Sequence, residues 1–151
     1  IRVTNQLAAR RLILLSASIH SEYDLTKALS HCRSGLVNFY NENDVGLLAI
    51  GTTITSNVDG RRGPSAGLVG FQPPNNPTLE TQQEYSKLFQ IPVTYAMTGG
   101  DDDAHAACTR PRFVSAYVAP WIRAKSWPAG YAVIDEMAPL KALLAQAEWP
   151  R

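Results

Sequence analysis

Two apolar runs, "LILL" at residues 12–15 and "GLVNFY" at residues 35–40, the second broken only by Asn38, constrain this chain most. Apolar residues follow one another instead of alternating with polar ones, which is the pattern of a strand buried on both faces. Between them, "YDLTKALSHC" carries Leu25, Ala28 and Leu29 at helical spacing, with Asp24 placed to cap the start. Strand, helix, strand in this order predicts a mostly parallel sheet covered by helices, an α/β fold.

The rest of the chain extends the pattern. "LAA" at residues 7–9 reads as a helix end, and "VGLLAIGTTIT" after the polar turn "NEND" as a short helix or extended segment. Residues 57–77, rich in Gly, Pro and Asn, predict a long irregular excursion. "TLETQQEYSKLF" predicts a helix with Thr78 and Thr81 as caps and Leu79, Tyr85, Leu88 and Phe89 as its apolar contacts. "IPVTYAM" is the third strand, with Pro92 tolerable near its start. "TGGDDDAHAACT" is a loop, "RPRFVSAYVAPWIRA" a helix with Phe113, Val114, Tyr117 and Val118 on one side, and "APLKALLAQAE" a final helix.

With 151 residues, 45% of them hydrophobic, the chain can bury one domain-sized core, so residues 1–151 are read as a single domain. Fourteen Lys and Arg against 13 Asp and Glu leave a net charge of +1, and the basic residues are scattered, which gives no footprint for nucleic acid. The apolar runs are too short to cross a bilayer, so no transmembrane segment is expected. Cys32 and Cys108 are too few to read as a disulfide framework. The chain begins with Ile1 and not Met, which predicts a partial sequence whose amino-terminal half lies elsewhere.

Gly63-Pro64-Ser65-Ala66-Gly67 matches G-x-S-x-G, the pattern around many serine nucleophiles. That elbow needs a strand before the serine and a helix after it. Upstream stands "DGRRG", with charges and glycines, and downstream "LVGFQPPNNP" reaches consecutive prolines before a useful helix. Ser65 is therefore read as a surface serine in a Gly- and Pro-rich loop. Ser16 and Ser18 follow an apolar run but have no neighbouring glycine for a tight turn.

Asp44 and His105 are better placed, each beyond the end of a strand, where α/β sheets gather their chemistry. A histidine takes a hydroxyl proton and returns it to a leaving group when a carboxylate fixes its tautomer and stabilises the imidazolium. Asp44 would orient, with Glu42 as the competing acid, and His105 would act as base.

The ordered segments "RRLILLSASIHSEYDL", "GLVNFYNENDVGLLAIGT", "DGRRGPSAGLVGF" and "HAACTRPRFVSAYVAPWI" resemble the carboxyl-terminal part of a bacterial α/β-hydrolase family. The resemblance covers about the first 120 residues and rests on several segments in order. It implies a serine hydrolase acting on a small ester-like substrate without a cofactor, with its nucleophile on an earlier strand. Asp44 falls at the family's acid position and His105 at its histidine, while the segment holding Ser65 corresponds to a loop after the acid. The acids of "GGDDDAHAACT" stand where the family tends to show glycines. The competing expectation is a noncatalytic α/β binding or interaction domain, whose open sheet edge a second copy or partner would cover.

The remaining reactive side chains have plainer readings. Asp101, Asp102 and Asp103 are consecutive, so their side chains point apart and form a solvated acidic loop more readily than a cation site. His31 with Cys32, and His20 with Glu22 and Asp24, lack the paired spacing of zinc ligands. Cys32 is expected to pack at a helix end, Cys108 to be buried, and His20 to lie in a loop beside the cleft. Trp121, Trp127 and Trp149 are expected to serve packing or an interface.

Overall fold

The computed structural model describes residues 10–42, 56–101, 103 and 105–128. Outside them lie Asp44, Asp102, Trp149, "LAA", "VGLLAIGTTIT" and "APLKALLAQAE". Three parallel strands, β1 (Leu12–Leu15), β2 (Leu36–Tyr40) and β3 (Leu88–Pro92), form a sheet in the order β1-β2-β3. Leu12 lies opposite Leu36, and Leu36 opposite Leu88. The fold is α/β, as the sequence pattern predicts.

Side-chain alternation sorts the strand residues into two layers. Val37, Phe39, Phe89 and Ile91 face one way, into a core completed by Phe113 and Trp121. Leu36 and Leu88 face the other way, against Leu25, Leu29, Phe71 and Tyr85. Each fully buried Leu or Phe contributes about 1.5–3 kcal/mol relative to exposure. Both connections between strands cover the second layer: α1 (Thr26–Ser30) joins β1 to β2, and α2 (Ala66–Val69) and α3 (Leu79–Tyr85) lie between β2 and β3. Two successive crossovers of the same hand put their helices on the same face of a parallel sheet. The opposite face is covered by the last helix among the described residues.

That helix runs through α5 (Pro111–Phe113), a π-helical turn (Val114–Val118) and α6 (Ala119–Arg123). Pro120 has no N–H to donate and its ring crowds the carbonyl four residues back, and the wider π turn stands immediately before it. Phe113 and Val118 are buried and Val114 and Tyr117 pack against the same core, the side chosen from the sequence. Arg11 reaches across from β1's entry to the end of this helix: Nη1 donates to Ile122 O at 2.7 Å and Nη2 to Ala124 O. Its guanidinium carbon stands 5.5 Å from the Trp127 ring centre, and Trp127 Nε1 donates to Trp121 O at 2.8 Å. Trp121 and Trp127 are thus packing residues.

Two boundaries differ from expectation. The helix expected through Phe89 stops at Tyr85, and Leu88 and Phe89 begin β3, because they fill register positions opposite Leu36 and Val37. Conversely, Tyr95–Thr98 is a helical turn, α4, and not the end of the third strand. Gly99, at φ 69°, ends that turn in the left-handed region that glycine enters freely. Thr78 caps α3, accepting from the Thr81 amide at 3.1 Å. Asp24 holds the start of α1 through the Thr26 amide at 2.9 Å and hydroxyl at 2.6 Å.

Candidate functional site

The three strands end together at Ser16, Asn41 and Val93. Ser16 donates its amide to Phe39 O at 3.1 Å, and its backbone is left-handed, at φ 47°. A non-glycine residue in this region costs of order 1–2 kcal/mol. The turn it makes redirects the chain away from the sheet and aims the hydroxyl of this buried serine at the loop carrying His105. Ser16 Oγ lies 3.5 Å from the His105 carbonyl oxygen and 3.8 Å from Cys108 Sγ. His105, half-buried, therefore stands at the carboxyl end of β1, although it is distant in sequence from that strand.

The loop around it is held by charge. Asp101 Oδ2 accepts from Arg110 Nε at 2.9 Å, and Asp103 Oδ2 lies 3.6 Å from Arg110 Nη2. The Asp103 amide donates to Asp101 Oδ1, and the Ala106 amide to Asp103 Oδ1, each at 3.0 Å. The Asp103 amide, and then Arg110, hold the Asp101 carboxyl below its ordinary range. Asp101 and Asp103 thus form the solvent-exposed acidic loop expected from the sequence, and pair there with Arg110. No group of three or more metal-ligating side chains converges among the described residues.

Ser65 departs from the surface placement expected of it. It is fully buried, and its hydroxyl has no hydrogen-bond partner. The reason lies in the neighbouring backbone: Pro64, Ala66 and Gly67 pair with residues 17–21, through Ser21 N to Pro64 O at 2.9 Å, Ala66 N to Ile19 O at 2.6 Å and Gly67 N to Ala17 O at 2.8 Å. Asn38, on β2, seals the segment from beneath, Nδ2 donating to Ala66 O at 2.9 Å. A four-residue helix does follow Ser65, but only an isolated bridge to His20 precedes it, and the Ser65 backbone is ordinary extended chain (φ −81°, ψ 154°). The strained strand-to-helix turn of a nucleophile elbow is absent at this serine.

The glycines of the motif have a packing role. A Cβ on Gly67 would stand 2.4 Å from Ser16 C and 2.5 Å from Ala17 N, so α2 can lie against the turn after β1 only because Gly67 has none. The glycine next to Ser16 that the sequence lacks locally is thus supplied in space. At Gly63 the would-be Cβ meets His20 Nε2 at 2.6 Å. His20 is buried there, its Nδ1 accepting from the Glu22 amide at 3.1 Å. His31 Nδ1 bonds Lys27 O at 2.7 Å at the end of α1, where the buried Cys32 also packs. Burial raises the Cys32 thiol above its ordinary range.

At the opposite, amino-terminal end of the sheet a cleft of about 390 Å³ is lined by Arg33, Ser34, Ser86, Lys87 and residues 125–128. Lys87 in this lining is already engaged, donating to Leu29 O at 2.8 Å and pairing with Glu84. No helix among the described residues is long and apolar enough to cross a membrane. Comparison with protein-family models, curated proteins and solved structures finds no match to this chain.

Proposed function

We propose that this chain contributes the acid and the histidine of an α/β-hydrolase that cleaves a small ester-like substrate by acyl transfer through a serine. The observation that supports this reading most is the position of His105, half-buried and held at the carboxyl end of a parallel strand. In α/β sheets this is the edge where chemistry gathers.

In this reading a serine hydroxyl from a segment of the protein outside this sequence attacks the acyl carbon while its proton passes to His105. Asp44 holds the imidazole in the correct tautomer and balances the imidazolium. The tetrahedral adduct collapses, the carbon–oxygen bond to the leaving alcohol breaks, and that oxygen takes the proton from His105. Water, deprotonated by His105, then releases the acid and restores the serine. The chemistry requires no cofactor.

The test is His105→Ala in the complete protein, assayed on a chromogenic ester with circular dichroism as a folding control. Loss of at least about 10³-fold in kcat with the fold intact supports the reading, since triad members act as a unit. Near-normal turnover overturns it. One observation favours a second reading, a noncatalytic binding or interaction domain: the outer edge of β1 pairs with no strand among the described residues, and an open edge invites a partner chain.

A further inference from the structure

We infer that Arg110 is a positioning residue whose two ion pairs set the conformation of the chain at His105. The inference rests on the reading of His105 as the general base, and concerns a side chain to which that reading gives no role.

Arg110 is the last residue before α5, and its own amide bonds Ala107 O at 3.3 Å, while Val114 N bonds its carbonyl at 3.0 Å. The backbone of Arg110 is thereby fixed to the helix that begins with α5, which is anchored in the core by Phe113 and Trp121. Its guanidinium then reaches back over the loop to Asp101 and Asp103, residues on the far side of His105 in sequence. The fork matters: Nε serves one carboxylate and Nη2 the other, a division that a single ammonium cannot reproduce. Asp103 passes the constraint on, since its carboxylate accepts the Ala106 amide and its carbonyl accepts the Ala107 amide at 2.9 Å. His105 is enclosed between these two anchors, with Ser16 Oγ against its carbonyl from the sheet side.

Exposed ion pairs are individually weak. A conformational bias of this size still changes how often His105 occupies one position. The experiment is carbethoxylation of the 151-residue chain by diethylpyrocarbonate, read by peptide mapping at His105 against the remote His31. Arg110→Ala is expected to speed modification at His105 about two- to fivefold with His31 unchanged, the population change that loss of exposed ion pairs of this kind produces. The double variant Asp101→Arg with Arg110→Asp is expected to return toward the starting rate, and the His105 ring NMR signals to move in the first variant and recover in the second. In the complete protein, Arg110→Ala is expected to lower kcat with KM nearly unchanged.

Unchanged labelling and unchanged ring signals in Arg110→Ala overturn the inference, whatever His105 does chemically. Full turnover in His105→Ala overturns the hydrolase reading and leaves the labelling result standing.

Discussion

Asn38 and Gln90 stand opposite one another on β2 and β3, and both turn their amides onto the segment that carries Ser65. Asn38 Nδ2 holds Ala66 O at 2.9 Å. Gln90 grips Phe71 at both ends, Nε2 donating to its carbonyl at 2.9 Å and Oε1 accepting from its amide at 2.5 Å. The pair mimics an extra strand with side chains, and fastens the Gly-rich excursion over an otherwise apolar face.

Replacing Gln90 by Leu should therefore destabilise the chain although it adds apolar surface, because the Phe71 amide and carbonyl lose their partners. The expected loss is about 1–3 kcal/mol, read as a lower urea midpoint. A midpoint equal to the parent's would show that these two bonds contribute nothing net.

Gly67→Ala and Gly60→Ala make a matched pair. At Gly67 the added methyl meets backbone of Ser16 and Ala17, which has nowhere to go, and a cost of about 3 kcal/mol or more is expected. Gly60, at φ 79°, has open space around it, so only the left-handed penalty of about 1–2 kcal/mol applies. Thermal melts that rank the two variants the other way would reject this account of the motif.

Ser65 should resist a fluorophosphonate probe in the folded chain, since its hydroxyl is sealed and has no base. An adduct mapped to Ser65 would make the G-x-S-x-G segment a nucleophile after all and would displace the proposed division of labour.

Acid should loosen two places at once. The Thr26 hydroxyl and then its amide hold the Asp24 carboxyl below its ordinary range, and the Asp103 amide and then Arg110 do the same for Asp101. A depressed carboxyl pKa contributes stability above the unfolded value, near 3.9 for Asp, and loses it as pH falls through the lower folded value. Urea midpoints should thus drop below about pH 4. The drop should shrink in the double variant Asp24→Asn with Asp101→Asn, and a drop of undiminished size would place the acid sensitivity elsewhere.

Much of this architecture is legible in the letters, and the exceptions have physical causes. β1 and β2 are readable because a doubly buried strand leaves a mostly apolar run, interrupted in β2 only by Asn38. β3 is misplaced because Leu88 and Phe89 fit a helix face as well as a strand, and only pairing with Leu36 and Val37 decides between them. The helical turn at Tyr95 was signalled by the two glycines that follow it, though its β-branched and aromatic neighbours point to a strand. The burial of Ser65 depends on Asn38, 27 positions earlier, and no local pattern carries that information. The left-handed turn at Ser16 is hidden for the same reason, since the glycine that makes room for it is Gly67. The sequence offers His105 as a candidate by its place after β3, and the proposed function builds on that position. Arg110 is not, because a sequence does not show which way an arginine folds back. Asp44 lies outside the described residues.

The two amides on the sheet also bear on strand register. Strand side chains alternate with period two, so a slip of one residue in β2 or β3 would move Asn38 or Gln90 to the opposite face, among Phe113 and Trp121. An apolar strand of Leu, Val and Phe alone could tolerate such a slip. A stranded amide in an aromatic layer costs about 1–3 kcal/mol, so the register that leaves both amides bonded is favoured over its neighbours.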